Sequence, residues 1–319
     1  MTAAPFRVAV GPVLYYWPRR TLTAFYAEVA ESAARTVYLG ELVCSRRHEM
    51  KVDDWLALAR DLAAAGKEVV LSAQALIESD AELRTLRRLV DHGECMIEAN
   101  DAAAIAAAAG RVRFVVGPHV NVYNALALAE LAPLGAVRWV PPIELPIAAM
   151  AAVNPPGGAV ETEAFAFGRM PLAISARCFT ARHYRTNRDE CGFRCIEHPD
   201  GLELRTQDGA PFLALNGQQT QAARLHCLLA HGAALAGAGV RGVRLSPVSQ
   251  GFAQVVGAFD AVLNHGADAA AALAALADCG LPGAFSDGYA YGAAGLAWSA
   301  GGASQGAPSP PSIDARAAQ

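Results

Sequence analysis

Short apolar runs alternate with longer amphipathic or alanine-rich stretches from residue 6 to residue 175. Phe6–Val10, Thr36–Leu39, Glu68–Leu71, Cys95–Ala99, Phe114–Val116, Ala136–Val140, Val160–Ala166 and Leu172–Ser175 have the length and composition of strands. Helical stretches lie between most of them: Leu22–Ala34, a segment capped by Asp53 or Asp54 that runs to Ala65 and stops at Gly66, and Asp80–Val90. An alanine-rich helix capped by Asp101 and ending at Gly110, then Asn124–Leu131, then a short piece before Asn154, continue the series. About eight strands in near-regular alternation with helices predict a parallel sheet.

No Gly-x-Gly-x-x-Gly turn follows the first strand, so the pattern favours a TIM-barrel-like (β/α) barrel over a dinucleotide-binding sheet. A helix at Gln219–Ala236, a strand at Val243–Leu245 and a helix at Phe252–Asn264 are expected to extend or cap that barrel. Residues 1–292 then form one domain. The stretch 293–319, rich in Gly, Ala, Ser and Pro, reads as a disordered tail without the apolar surface to offset chain entropy. In a barrel the C-terminal strand ends form the functional face. Cys44, Glu98, Asn100, His119 and Cys178 all follow strand-like runs at that end.

Composition narrows the class further. Of 319 residues, 53% are hydrophobic and 18% charged, enough for a large core. The net charge of −4 argues against general nucleic-acid binding. No apolar stretch reaches membrane-spanning length, and the N-terminus lacks a basic region ahead of an apolar core, so neither a membrane span nor an export signal is expected. Seven cysteines, an odd number without an export signal, suit reduced thiols and metal ligation, and a cytoplasmic location.

Three of those cysteines, Cys178, Cys191 and Cys195, fall in one arginine-rich segment, and Cys44 follows the second strand. Cys191 and Cys195 are four apart, which puts both on one face of a helical turn. There is no Cys-x-x-Cys knuckle for a zinc ribbon, nor the tight run of a bacterial ferredoxin. The spacing leaves three readings open: an iron–sulfur cluster assembled from separated loops, a zinc site, and unligated thiols. Arg177, Arg182, His183, Arg185, Arg188 and Arg194, with Arg46, Arg47 and His48 after Cys44, suit an anionic centre, an anionic substrate, or merely a solvated loop balanced by Asp189, Glu190 and Glu197. Cys95, Cys227 and Cys279 sit in apolar or helical contexts and read as packing residues. Glu98 and Asn100 could orient a substrate, although Asn100, like Asp101, suits a helix cap equally well, and Glu144 is a further residue at the same lip. The polar group His119, Asn121, Tyr123 and Asn124 has helix capping as its simplest role. There is no His-Glu-x-x-His helix, P-loop or Gly-x-Ser-x-Gly elbow.

Three stretches resemble the collagenase-like peptidase family of bacteria: Gly117–Asn124, Phe165–Cys178 with its continuation to Cys195, and Phe212–Gly217. The resemblance covers roughly residues 6–292. The chain departs from the peptidase-type signature: Phe167 stands in place of a histidine, Pro171 in place of a cysteine, and Ala176 in place of the glycine of Ser-Gly-x-Cys. These departures, together with Cys44, are similar to a branch of the family that works in ubiquinone biosynthesis, and they weigh against proteolysis. That resemblance implies a 4Fe-4S cluster on Cys44, Cys178, Cys191 and Cys195. It also implies a heterodimer with a sister protein that carries its own cluster, and oxygen-independent hydroxylation of ubiquinone precursors with prephenate as hydroxyl donor. A scaffold subunit with a structural cluster, and a peptidase-family or RNA-hydroxylase-like enzyme, are the alternatives.

Overall fold

The computed structural model describes residues 5–299. Six strand–helix units come first: β1 (Arg7–Val10), α1 (Arg19–Glu31), β2 (Thr36–Leu39), α2 (Val52–Ala64), β3 (Glu68–Ser72), α3 (Asp80–His92), β4 (Met96–Ala99), α4 (Ala102–Ala108), β5 (Phe114–Val116), α5 (Ala125–Leu131), β6 (Ala136–Trp139) and α6 (Ile147–Val153). The long strand β7 (Glu161–Ile174) follows, then the short helix α7 (Phe179–His183) and two 3-10 turns at Arg188–Glu190 and Arg194–Glu197. Next come β8 (Leu202–Arg205), β9 (Pro211–Asn216), β10 (Gln219–Cys227), α8 (Gly232–Gly237), β11 (Val240–Leu245), α9 (Phe252–His265), α10 (Ala269–Ala277) and β12 (Phe285–Ser286).

Strands β1 to β7 pair in parallel in chain order, and β11 pairs with both β7 and β1. The sheet therefore closes into an eight-stranded parallel barrel with helices outside, the TIM-barrel-like fold expected. The eighth strand is Val240–Leu245, which the sequence pattern placed in the extension. Leu172–Ser175, counted as a separate strand, is largely the outer end of β7. That strand leaves the barrel at Gly168, whose φ is +123° and where a Cβ would lie 2.6 Å from the Ser246 side chain. Only glycine allows the chain to pass so close to β11 in that conformation. Beyond this point β7 pairs antiparallel with β10, which pairs with β9, and β9 with β8.

One expected element is wrong in kind. The expected helix at Gln219–Ala236 does not form over its first half. Residues Gln219–Cys227 are instead a strand held between β7 and β9, followed by a 3-10 turn at Leu229–His231 and only then by α8. Ladder partners on both sides outweigh a helix propensity of a few tenths of a kcal/mol per residue. The N-cap of α2 is Lys51, with Asp54 Oδ2 accepting from the Lys51 N–H at 2.8 Å. Asp101 and Asn124 cap α4 and α5 as expected, accepting from Ala103 N at 2.7 Å and Ala127 N at 2.9 Å.

Alternation along the strands sorts side chains between two cores. Val8, Val10, Val37, Leu39, Leu71, Ile97 and Phe114 face the helices and join the main core. Ala9, Tyr38, Val70 and Val115 point the other way and form a small cluster with Val140. A buried ion network accompanies them. Arg244 Nε donates to Glu163 Oε1 at 2.9 Å, and its Nη1 pairs with Glu98. Ser72 Oγ donates to Glu98 at 2.6 Å, and Tyr38 and Arg7 both bond Glu163 at 3.2 Å. No helix among the described residues is long and apolar enough to cross a membrane.

Of the stretch read as a tail, residues 293–299 pack back on the fold. Ser299 donates to Asp287 through its N–H (2.8 Å) and hydroxyl (2.6 Å), and the Trp298 ring lies tilted against Phe285 with centroids 5.6 Å apart. Residues 300–319 lie outside the described residues.

Candidate metal centre

Cys44 lies in the loop between β2 and α2. Cys178, Cys191 and Cys195 lie in the excursion that replaces the usual crossover helix after β7. Cys178 is the N-cap of α7, its sulfur accepting from Ala181 N at 3.4 Å. Cys191 follows the first 3-10 turn and Cys195 sits within the second. All four are half-buried and none is in a disulfide.

Several contacts bring the distant loop to the excursion. Cys44 packs in an apolar cluster with Leu14, Leu42, Val43 and Ile174, the last residue of β7. Arg46 pairs with the Asp189 carboxylate and donates from Nη2 to the Asp189 carbonyl at 2.9 Å. Phe193, between the last two cysteines, sets its ring 4.7 Å from His48 and 5.9 Å from Tyr16. Trp17 Nε1 donates to the Pro199 carbonyl at 2.7 Å. The excursion is thus fastened to the loops after both β1 and β2.

Arg47 is the hub of the arrangement. It is 5% exposed and stands beside Cys195 and Cys44. Its Nη1 donates to Leu14 O at 2.7 Å and to Glu41 at 3.3 Å, and its Nη2 to Asn216 Oδ1 at 2.6 Å. Glu41 Oε1 in turn accepts from the N–H groups of Val43 and Cys44, both at 3.1 Å. The Asn216–Gly217 turn completes the support. Gly217 N donates to Thr180 Oγ1 at 3.0 Å, and its carbonyl accepts from Phe179 N at 2.7 Å. Gly217 has φ +62°, and a Cβ there would lie 3.1 Å from Arg47 Nη2.

Burial pushes the Cys44 thiol up to about 11, against the pull of Arg47, and burial likewise raises Cys195. Thiolate ligation displaces a proton, so an electropositive group at this point favours the charged form. Among the described residues, no three His, Cys, Asp or Glu side chains stand in the geometry that would hold a metal ion. The thiols are gathered at one end of the barrel without being closed into a cage. The donor set is one of soft sulfurs from separate segments, which suits iron–sulfur or zinc chemistry and not a hard cation.

The basic residues divide into two groups. Arg46, Arg47 and Arg188 serve the site's architecture: Arg188 pairs with Glu78 and donates to the Ala176 carbonyl at 3.0 Å. Arg177, Arg182, His183 and Arg185 are exposed, and Arg194 lies over the Tyr184 ring at 3.8 Å. The other candidates do not join the thiols. Glu98 belongs to the ion network inside the barrel, and Asn100 donates to Ala73 O at 3.2 Å. Half-buried His119 has its imidazole pushed down to about 4 by desolvation, with Arg244 adding to the shift and Glu98 opposing it. Tyr123 bonds Glu144 at the surface. Cys95, Cys227 and Cys279 pack in or against the main core. Sequence reasoning missed Glu41, Phe193 and Asn216. The signal for Glu41 was its place three residues before Cys44, and for Asn216 an Asn-Gly turn between two apolar runs.

A closed parallel barrel whose seventh crossover carries a thiol-bearing excursion defines an α/β-barrel protein. The chain belongs to peptidase family U32, whose model matches residues 21–292. The structure titled the U32 peptidase Mk0906 is 12% identical, with 77% of this chain and 95% of that one covered and a TM-score of 0.40. A dihydropteroate synthase from Burkholderia cenocepacia is 14% identical, with coverage of 82% and 96% and a TM-score of 0.41. A type I 3-dehydroquinate dehydratase from Clostridium difficile is 10% identical, with coverage of 54% and 77% and a TM-score of 0.36. These likenesses carry nothing about chemistry.

Proposed function

We propose that this chain is an iron–sulfur subunit resembling the ubiquinone biosynthesis protein UbiV. In this reading Cys44, Cys178, Cys191 and Cys195 hold a 4Fe-4S cluster, and the chain acts in a cytoplasmic heterodimer with a UbiU-like sister protein. The pair hydroxylates ubiquinone precursors without oxygen, with prephenate as hydroxyl donor. The observation that carries the reading is the fastening of the Cys44 loop to the cysteine-bearing excursion through Arg46, Arg47 and Phe193. That fastening supports the reading by joining the two segments that carry the four cysteines, with a buried guanidinium beside Cys44 and Cys195.

The cluster, when bound, supplies one-electron chemistry at a potential tuned by its surroundings. This chain's own residues do the rest. Arg47 offsets the negative charge of the thiolates, and the half-buried setting limits water at the sulfurs. Phe167 and Pro171 stand where the peptidase-type signature has histidine and cysteine, which disfavours proteolysis.

Protein purified without oxygen should be brown, with about four irons and four sulfides per chain. Stoichiometric zinc without inorganic sulfide would overturn the cluster. Co-expression with the sister protein, followed by anaerobic size-exclusion chromatography, should give a one-to-one complex. A monomer that still supports anaerobic quinone synthesis would refute the heterodimer.

A further inference from the structure

The cysteine-bearing excursion carries more positive charge than the fold uses. From Arg177 to Arg188 the chain has four arginines, His183 and no acidic residue, in a protein of net charge −4. Those four positive charges leave −8 on the remainder. Among the described residues only Arg188 of the four has an ion pair, with Glu78. Arg177, Arg182 and Arg185 are exposed, and their guanidinium groups have neither an ion pair nor a hydrogen bond among the described residues. The acids of the excursion are mostly engaged: Asp189 pairs with Arg46, Glu197 pairs with Arg194, and Asp200 accepts from Ser249. Glu190 alone is left free among the described residues.

The seating of α7 explains this exposure. Thr180 and Ala181 are buried, with Thr180 Oγ1 accepting from Gly217 N at 3.0 Å, so Arg182 and His183 fall on the solvent side. Arg177 immediately precedes Cys178. Arg185, at φ +56°, is the left-handed residue that ends the helix, with Thr186 N donating back to Ala181 O at 2.9 Å. Glycine is usual at such a position. An arginine there is strained, and its exposed side chain gains no packing to offset the strain.

The partner of such a surface follows from its charge and its lack of apolar area. Stable subunit interfaces have an apolar core poor in charge. Here the exposed neighbours of the arginines are His183, Thr186 and Asn187. A charge-steered encounter of less than roughly 1,200 Å², the size usual for redox partners, needs no apolar core. A nucleic acid would run past the patch onto the net-acidic remainder of the chain, which a compact acidic face avoids.

We infer that Arg177, Arg182 and Arg185 form the docking surface for an acidic one-electron carrier protein, beside the segment that bears Cys178 and Cys191. The carrier is oxidised by one electron and the centre held by the thiols is reduced by it, with no bond made or broken. That the partner is acidic is read from the surface alone; that it brings an electron rests on the proposed cluster.

The test uses the full chain purified anaerobically, with iron and sulfide assayed on every sample, and a strongly acidic ferredoxin as the probe. Fluorescence-anisotropy titrations should show binding that is lost as salt rises from about 0.1 M towards 1 M, as an exposed charge contact requires. The variant combining Arg177→Glu, Arg182→Glu and Arg185→Glu should bind at least about tenfold more weakly at the lower salt, a difference of 1.4 kcal/mol, with unchanged circular dichroism. Exposed Arg35, Arg113 and Arg241 lie at the N-terminal ends of β2, β5 and β11. Changing these three to Glu alters the net charge equally at the far end of the barrel and should leave affinity within about twofold, because distant charges are screened. If the first variant does not fold, Arg182→Glu alone takes its place and should weaken binding about threefold. In iron-loaded samples, stopped-flow mixing with reduced ferredoxin should show its reoxidation slowed by the same factor. No binding by wild type, or equal weakening by both triple variants, overturns the docking surface. So does tighter binding of a single-stranded RNA than of ferredoxin, or loss of ferredoxin binding once the sister protein is bound. Because binding is read whether or not iron is present, absence of a cluster leaves the docking result standing, and failure to dock leaves the iron count standing.

Discussion

Arg46 and Asp189, 143 positions apart in the chain, close the Cys44 loop onto the turn that precedes Cys191. The pair joins the only two segments that carry the four candidate ligands. Asp189 is 88% exposed at its side chain, so the ion pair itself stabilises the fold by at most about 1 kcal/mol. Its effect belongs to the site. Arg46→Ala should leave the denaturant midpoint nearly unchanged while iron affinity falls on the order of tenfold, as for other residues that orient ligands. Equal retention of iron by wild type and variant under a chelator challenge would remove this role.

The thiols themselves allow a sharper separation. Replacing Cys44, Cys178, Cys191 or Cys195 by Ala, one at a time, should remove most of the iron and sulfide. Cys95→Ser and Cys279→Ser should keep both near wild-type levels, since these residues only pack against the main core. Iron and sulfide assays on anaerobic preparations decide the matter. A full, stable cluster in Cys44→Ala would break the link between the two segments.

Much of the barrel was legible because its strands are short β-branched runs and its helices carry their own caps. Six of the eight barrel strands fell within a residue or so of Phe6–Val10 through Ala136–Val140. What failed was the second half. Gln219–Cys227 is the second arm of a hairpin whose Asn216–Gly217 turn was the local signal, but Ala222 and Ala223 obscured it, and its other partner, β7, lies about 50 residues away. The closing strand Val240–Leu245 was seen but misplaced, because its partners Arg7 and Glu163 lie far off in sequence. At the site the cysteines were legible by residue type. Glu41, Phe193 and Asn216 were not, because their roles exist only once the Cys44 loop meets the excursion.

Gly217 tests the support beneath Arg47. At φ +62° an alanine is strained by about 1–2 kcal/mol, and its Cβ presses on the guanidinium at 3.1 Å. Gly217→Ala should therefore lower both the denaturant midpoint and iron retention. Gly209→Ala, at φ +85° with nothing within 4 Å, carries the strain without the clash. It should lower the midpoint by a similar amount and leave iron unchanged. If the two variants lose iron equally, Gly217 acts through the backbone alone.

Acid should unfold the protein in two stages. Burial pushes His226 down to about 4, with His231 adding to the shift, and His119 lies at about 4 as well, against an ordinary value of 6.5. Both are neutral in the fold where the unfolded chain binds protons. Stability is therefore lost as pH falls from about 6.5 towards 4, by about 1.4 kcal/mol per pH unit for each group. Glu163 governs the second stage. Its burial raises the carboxyl, but Arg244, Arg138 and Arg7 outweigh that and hold it at about 2, below its ordinary 4.5. Its contribution is complete above pH 4.5 and disappears as pH falls towards 2. Glu163→Gln should cost about 3–5 kcal/mol at neutral pH, because it leaves buried arginines uncompensated. His226→Leu should instead reduce the slope between pH 6.5 and 4 by about one proton's worth, with little change at neutral pH. Denaturant midpoints measured across pH 3 to 8 on wild type and both variants check the assignment. An unchanged slope in His226→Leu would show that this imidazole is not buried as the neutral form.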